Sequence, residues 1–103
     1  SAYAASKHGV HGLTRVAAME NAARNIRVNA LAPGWTETPM VVTNSAQNPA
    51  FAELARKAIP AKRGASPREM AEAAVWLSSP QASYLFGHML VVDGGMTIGG
   101  FEP

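Results

Sequence analysis

The chain contains a short apolar run, Met89–Val92, that ends directly at Asp93, Gly94 and Gly95. Its apolar residues do not alternate with polar ones, which is typical of a parallel strand that is buried on both faces. Such a strand needs helices packed against its sheet, so the run favours an α/β fold.

Two earlier segments have the patterns of a helix and a strand. From Ala4 to Asn25 the chain is rich in Ala, contains no Pro and carries apolar residues at spacings of three and four, which predicts a helix. Asn tolerates the left-handed conformation that commonly follows a helix, so we expect the helix to end near Asn25. The stretch IRVNALAPG, residues 26–34, then predicts a strand that Pro33 and Gly34 terminate.

The segments between the two strands are predicted to be a loop and helices. Residues 35–48 are rich in Thr, Ser and Asn, and we expect a long loop there. Residues 49–59 predict a short helix, with a Pro at its start and Pro60 closing it. A further helix is predicted to begin after Ser66, which has capping-box spacing to Glu69, and to end before Pro80.

The order helix, strand, helices, strand is typical of an α/β fold with a parallel sheet and right-handed crossovers. Two buried strands do not make a stable sheet, because each needs a neighbour on at least one edge. We therefore expect the chain to be the carboxy-terminal part of a larger α/β sheet.

The composition of the chain limits which cellular compartment and which classes of partner we expect. With 103 residues the chain fits one domain at most, and the absence of Cys excludes disulfides and is compatible with a reducing cytoplasm. No apolar run approaches the roughly 18 residues needed to span a bilayer, so we expect no membrane partner. The net charge is only +2 and the basic cluster at residues 62–68 has no interleaved aromatics, so we expect no nucleic-acid partner.

Tyr3 and Lys7 are four residues apart in the predicted first helix, which places them on one face. A phenol has a pKa of about 10, and a general acid or base works best near the operating pH. Lowering that pKa by about two to three units takes roughly 3–4 kcal/mol, which an ammonium about 4 Å away supplies at an effective dielectric of about 20. The pair is thus either a tuned proton donor or an ordinary neighbour contact on a helix surface.

Two other groups in the first helix bear on its surroundings. Gly9 and Gly12 each cost roughly 0.5–1 kcal/mol relative to Ala inside a helix, which favours close packing of another backbone or a ligand over simple tolerance. His8 and His11 share a helix face, but neither a carboxylate nor a Cys is near them in sequence, so we predict no metal site.

Four motifs then follow one another in the order of a known enzyme family. They are YAASK in the first helix, RVNALAPGWTETPM, the capped helix, and GHMLVVDGG. Together they resemble the short-chain dehydrogenase/reductase family from Ser1 to about Thr97. The resemblance implies that residues 1–103 form the carboxy-terminal part of a Rossmann-like doubly wound parallel sheet, with two strands and about three helices of the full fold.

The resemblance implies a catalytic role for the first motif. Tyr3 would be the acid or base that protonates a ketone oxygen, or deprotonates a secondary alcohol, while hydride moves from or to the nicotinamide of NAD or NADP. Lys7 would lower the pKa of the tyrosine and hydrogen-bond the nicotinamide ribose.

Four later positions match cofactor-binding positions of the family. Pro33 and Gly34 correspond to the turn where the backbone passes close to the nicotinamide. Thr36 matches a residue whose main chain holds the carboxamide, and Thr38 matches a hydroxyl that contacts the carboxamide or the diphosphate. Ligands of open α/β sheets bind at the carboxyl ends of strands, which agrees with this position, although Pro-Gly after a strand is by itself only a turn signal.

The residues around these positions bear on the substrate. Trp35 and Met40 either border a substrate pocket or pack in the interior, and the sequence favours neither interpretation. Residues 37–58 correspond to the family's variable substrate lid.

Some parts of the family pattern have no counterpart in these 103 residues, namely the glycine-rich turn after a first strand and the catalytic Ser before the Tyr. We therefore expect the carboxy-terminal catalytic portion of an NAD(P)-dependent oxidoreductase that interconverts a ketone and a secondary alcohol. The family resemblance implies a homodimer or homotetramer in the full-length form. The alternative is an inactive fragment that serves as an oligomerisation or binding module.

Overall fold

The structure, a computed structural model, describes residues 1–98, apart from the side chain of Tyr3. It is an α/β fold in which strands β1 (Ala30–Pro33) and β2 (Met89–Val92) pair in parallel. In this part of the chain the helices are α1 (Ala2–Asn21), α2 (Pro39–Gln47), α3 (Pro49–Ala58) and α4 (Pro67–Leu77), with short 3₁₀ helices at Ala22–Arg24 and Pro80–Ala82.

The chain divides into two compact units. The first unit comprises Ser1–Leu31 and Ala74–Leu90, and the second comprises Ala32–Ala73 and the chain from Val91 onward. In the first unit the N–H of Ala30 donates to the carbonyl of His88 at 2.8 Å, and in the second the N–H of Gly34 donates to the carbonyl of Val92 at 2.9 Å. Both bonds follow the regular spacing of a parallel ladder.

Helix α1 ends where the sequence predicts. Its α-helical part stops at Asn21, a 3₁₀ turn continues to Arg24, and Asn25 takes the left-handed conformation with φ 58°. The N–H of Asn25 donates to the carbonyl of Ala22 at 2.9 Å. The predicted end near Asn25 is confirmed, because Asn is among the few non-glycine residues that adopt this conformation at low cost.

Small residues let α1 pack against the turn before β2 in the first unit. Ala18 is only 4% exposed, and its Cβ lies 3.2 Å from the place where a Cβ on Gly87 would stand. Gly87 also has φ +71°, a conformation that side chains rarely adopt. A larger residue at position 87 would therefore be both strained and crowded.

Arg27 and Asn29 anchor the chain just before β1. Arg27 donates to the carbonyls of Leu77 at 2.8 Å and Ser79 at 3.0 Å, which are the last residue of α4 and the second residue after it. A cation is favoured at this carboxyl end of a helix. The amide of Asn29 donates to the carbonyl of Leu85 at 2.9 Å. The prediction of a strand from residue 26 is wrong in extent, because pairing with β2 begins only at Ala30. Before that point the side chains of Arg27 and Asn29 bond to other segments, and the carbonyl of Val28 accepts from the N–H of Gly87 at 2.9 Å.

Helix α2 overturns the prediction of a long loop over residues 35–48. It begins at Pro39, directly after Thr38, whose hydroxyl accepts a hydrogen bond from the N–H of Val41 at 3.3 Å. A Thr cap followed by Pro at the first helical position is a strong start signal. The β-branched and Asn residues inside α2 have low helix propensity, which is why the segment resembled a loop.

Helix α3 begins at Pro49 as predicted and leads into the most buried large side chain of the second unit. Ile59 is only 1% exposed. Its Cγ2 lies 2.8 Å from the position that a Cβ on Gly94 would take, and Gly94 has φ +66°. The turn after β2 therefore packs closely on the residue that follows α3.

The predicted capping box of α4 is confirmed. The hydroxyl of Ser66 accepts from the N–H of Glu69 at 3.1 Å, and the carboxylate of Glu69 accepts from the N–H of Ser66 at 2.8 Å. Arg63 donates two further hydrogen bonds to that carboxylate, both at 3.0 Å. The Arg63 guanidinium and the Ser66 N–H together lower the pKa of Glu69 from 4.5 to about 2.

Strand β2 has the predicted bounds but not the predicted burial. Within the described residues Val91 is 48% exposed, so the strand is not covered on both faces. The faces of a strand are buried only where other elements cover the sheet, so the side of β2 that carries Val91 is incompletely covered in this part of the chain.

Candidate active site

Helix α1 carries Tyr3 and Lys7 one turn apart near its amino end, in the first unit. Ser1 caps the helix, since its hydroxyl accepts a hydrogen bond from the N–H of Ala4 at 3.2 Å. Lys7 is exposed, whereas the side chain of Tyr3 lies outside the described part of the chain. The helical spacing on which the pair depends is thus present in the backbone.

Gly34 follows the end of β1 in the second unit and meets Asp93 at very short range. A Cβ at Gly34 would lie 2.7 Å from both Cα and Cβ of Asp93. The carboxylate of Asp93 is itself held, because it accepts from the N–H of Gly95 at 3.0 Å and from the hydroxyl of Thr97 at 2.9 Å. Glycine is therefore required at position 34 by contact with the chain itself, and exposed Pro33 precedes it.

The main chain around Thr36 is fixed by a short parallel bridge to Ala65. Ala65 donates to the carbonyl of Trp35 at 2.9 Å and accepts from the N–H of Glu37 at 2.8 Å. Because the flanking residues make these bonds, the N–H of Thr36 points away from Ala65. Its direction leaves it able to donate to a ligand.

Thr38 combines a structural bond with a remaining donor. Its hydroxyl oxygen accepts from the N–H of Val41 as the cap of α2, and its N–H donates to the carbonyl of Thr36 at 2.8 Å. A hydroxyl that accepts one bond can still donate its own proton. That proton is suited to a carbonyl or phosphate oxygen.

A cluster that the sequence analysis did not identify surrounds Glu37. Arg56 donates to both carboxylate oxygens at 2.8 Å, and the indole N–H of Trp35 donates to one of them at 2.9 Å. The guanidinium also lies 5.6 Å from the centre of the Trp35 ring, within cation–π range. The hydrogen bonds from Arg56 are the main cause that lowers the pKa of Glu37.

The sequence carried no signal for this cluster, because Glu37 and Arg56 are 19 positions apart. Neither residue belongs to a motif with a fixed spacing. The Trp35–Glu37 spacing of two suggests a shared side of an extended segment, but not the partner from α3.

Two small cavities adjoin Trp35 in the second unit. One of about 160 Å³ lies between α2 and α3 and is lined by Trp35, Val41, Asn44, Ser45, Phe51 and Ala52, and another of about 100 Å³ lies near Ile59 and Asp93. Both are smaller than the roughly 300 Å³ at which ligand pockets begin. Trp35 thus borders two cavities, which agrees with a place at the border of a pocket. Met40 is 70% exposed and lines neither cavity.

The first unit contains a cleft of its own. It measures about 570 Å³ and is lined by Asn25, Arg27, Val28, Asn29, Ala74 and Leu77, none of which is a predicted site residue. Its charged group, Arg27, is already engaged by backbone carbonyls. We therefore assign the cleft no chemistry.

Neither a metal-ligand cluster nor a membrane-spanning helix occurs in the described residues. Within residues 1–98, side chains of His, Asp and Glu do not gather in threes as a metal site requires. None of the helices in this range is both long and apolar enough to cross a membrane.

Comparison with known proteins places the chain in a family. A family model described as enoyl-(acyl carrier protein) reductase matches residues 1–97. The structure of an oxidoreductase of the short-chain dehydrogenase/reductase family from Burkholderia thailandensis superimposes with a TM-score of 0.89 at 35% identity, covering 96% of this chain and 38% of that one. The chain belongs to the short-chain dehydrogenase/reductase family.

Two other members of the short-chain dehydrogenase/reductase family are more similar in sequence. An A-factor type γ-butyrolactone 1′-reductase of Streptomyces virginiae is 54% identical over 96 residues, which are 93% of this chain and 37% of that protein. A protein from Beutenbergia cavernae is 47% identical with a TM-score of 0.86, covering 95% of this chain and 39% of that one. It is described as an NAD(P)-dependent gluconate 5-dehydrogenase and was solved with NADP at low occupancy. The chain thus spans less than two fifths of the length of these relatives.

Proposed function

We propose that residues 1–103 are the carboxy-terminal catalytic portion of an NAD(P)-dependent oxidoreductase that interconverts a ketone and a secondary alcohol. The observation that carries the proposal is the Tyr3–Lys7 spacing at the start of α1, in a chain that matches the short-chain dehydrogenase/reductase family over residues 1–97. The relatives are longer, which supports a catalytic portion that works within a longer enzyme.

A bound nicotinamide would supply or accept the hydride of the reaction. In the direction of reduction, Tyr3 would donate its phenolic proton to the ketone oxygen, so that the carbonyl π bond breaks and a secondary alcohol forms. Lys7 would stabilise the resulting phenolate by its positive charge and would hold the ribose of the cofactor. In the reverse direction the phenolate takes the proton of the alcohol.

The second unit supplies the proposed contacts to the dinucleotide. Pro33 and Gly34 would form the turn beside the nicotinamide, and the N–H of Thr36, which points away from Ala65, would donate to the carboxamide oxygen. The hydroxyl of Thr38, whose oxygen caps α2, would donate its proton to the carboxamide or the diphosphate. These contacts suit NAD and NADP equally, because the two cofactors differ at the adenosine ribose, to which none of the proposed contacts is made.

Exposed apolar side chains on α1 support assembly into a homodimer or homotetramer. Four of them are half or more exposed, namely Val10 (54%), Leu13 (71%), Val16 (52%) and Met19 (81%). Apolar groups exposed in this number are normally covered, either by the rest of a longer chain or by another copy of the protein. Cover by another copy is also what the second candidate function needs, an inactive module that only oligomerises. For the compartment we propose the cytoplasm, which suits a chain without Cys.

The test is an assay of the full-length protein with NADH or NADPH and a panel of ketones, followed by change in nicotinamide absorbance. The proposal expects saturable dinucleotide binding and turnover of at least one ketone, with the matching secondary alcohol oxidised in reverse. Self-association in size-exclusion chromatography without any dinucleotide binding would instead support the oligomerisation module. The intact mass of the purified protein tests whether residues 1–103 occur within a longer chain.

A further inference from the structure

Four side chains of the second unit form one connected cluster, which we call the Glu37 latch and define as Trp35, Glu37, Ser45 and Arg56. Arg56 meets Glu37 with two parallel hydrogen bonds, the geometry in which Arg and carboxylate bind most specifically. The same guanidinium donates to the hydroxyl of Ser45 at 3.2 Å. The latch thereby joins the segment after β1 to both α2 and α3.

The latch holds the residue that lies between the two proposed cofactor contacts, since Glu37 stands between Thr36 and Thr38. The chain turns tightly around Glu37, because the N–H of Thr38 donates to the carbonyl of Thr36 at 2.8 Å. Thr36 lies in the β-bridge to Ala65, and the hydroxyl of Thr38 caps α2. A shift of Glu37 is therefore expected to move the main chain of both threonines.

Glu37 is occupied as an anchor and is not free to act on a ligand. Its carboxylate accepts three hydrogen bonds, two from Arg56 and one from Trp35. Its side chain is 26% exposed and that of Arg56 is 30% exposed, so water competes with the pair only in part. The hydrogen bonds from Arg56 lower the pKa of Glu37 and so favour its charged form.

Gly64 closes the space behind the latch. A Cβ at Gly64 would collide with the Glu37 carboxylate and would lie 2.5 Å from Cδ1 of Trp35. The next residue, Ala65, is the bridge partner of Thr36. The segment is thus held by Arg56 through side chains and by Ala65 through main chain.

We propose that Glu37 and Arg56 are positioning residues for the dinucleotide, whose ion pair fixes the main chain of Thr36 and the hydroxyl of Thr38 where they bind the nicotinamide end. This inference rests on the proposed function, because it takes the two threonines to be cofactor contacts. Neither latch residue touches the reacting atoms. Their loss is therefore expected to weaken dinucleotide binding more than it slows the chemical step.

The test compares Glu37→Gln and Arg56→Lys in the full-length protein by calorimetric titration with NADH and NADPH and by steady-state kinetics. Gln keeps the shape but removes the charge, and Lys keeps the charge but removes the two-pronged geometry. Each change is expected to raise the dinucleotide Kd and KM on the order of tenfold, with a much smaller change in kcat at saturation. The double variant should bind the dinucleotide no more weakly than the weaker-binding single variant, because both substitutions remove the same Glu37–Arg56 interaction.

Arg63→Ala is the matched control, since Arg63 makes a similar two-pronged contact to Glu69 and has no bond to the latch. It should lower thermal stability and leave the dinucleotide Kd unchanged. If Glu37→Gln does not fold, the milder Arg56→Lys decides. An unchanged dinucleotide Kd in a folded latch variant overturns the inference. An equal rise of that Kd in Arg63→Ala also overturns it. Failure of the wild-type protein to bind either dinucleotide overturns the proposed function and the inference with it.

Discussion

Replacing Gly34 by Ala should destabilise the protein, because the added methyl group has no room. It would stand 2.7 Å from Cα and Cβ of Asp93, which is 0.7 Å short of the 3.4 Å at which ordinary contact begins. Asp93 cannot rotate out of the way, since one of the two atoms belongs to the main chain and its carboxylate is bonded to Gly95 and Thr97. The two segments of the chain must separate instead, which stretches the 2.9 Å hydrogen bond from the N–H of Gly34 to the carbonyl of Val92.

Overpacking of this kind costs about 1–3 kcal/mol, and a weakened backbone hydrogen bond adds up to about 1 kcal/mol. Urea unfolding of the full-length protein, followed by circular dichroism, measures the change. Gly9→Ala is the matched control, because the residue lies inside α1 and a Cβ there meets nothing within 4 Å. The close packing expected around Gly9 is therefore not present among the described residues. That variant should gain roughly 0.5–1 kcal/mol. Equal stability of Gly34→Ala and the wild type would refute the close approach of Gly34 and Asp93.

Two further predictions concern the second unit. Ile59→Ala removes a side chain that is 1% exposed and should lower the free energy of unfolding by about 2–5 kcal/mol in the same assay, whereas a loss within the range of surface substitutions would contradict the packing. The pKa of Glu69 is lowered from 4.5 to about 2. Its hydrogen bonds therefore stabilise the folded protein fully above pH 4.5, and this stabilisation is lost as the pH falls toward 2. The wild type should lose its stability advantage over Glu69→Gln across that pH range. An advantage that stays constant down to the lower limit would show that the Arg63–Glu69 contact does not form.

Local signals in the sequence were sufficient for several elements of the fold. The left-handed Asn25, the capping box of Ser66 and Glu69, and the bounds of β2 follow from nearest-neighbour chemistry, and each is present in the structure. Helix α2 is not predicted from the sequence, because the low helix propensity of its interior residues outweighs the start signal at Thr38 and Pro39. The burial of Val91 depends on which elements cover the sheet, which no local pattern encodes.

The candidate site likewise combines residues that local patterns predict with contacts that such patterns do not predict. The Tyr3–Lys7 pair follows from helical spacing, whereas Thr36 and Thr38 were chosen by family resemblance alone. The contact between Gly34 and Asp93 and the ion pair of Glu37 and Arg56 join residues that are distant in sequence. Contacts of this kind depend on the folded chain, so single-sequence patterns do not reveal them.

The most direct test of the proposed function is the substitution Tyr3→Phe in the full-length protein, with turnover and NAD(P)H affinity measured on the same preparation. The change removes one hydroxyl, and with it the proposed proton donor, while the ring remains. We predict that kcat falls on the order of 10²–10⁴-fold and that the dinucleotide Kd stays within about threefold of the wild type. Turnover equal to that of the wild type would contradict the assignment of Tyr3 as the acid and base of the reaction.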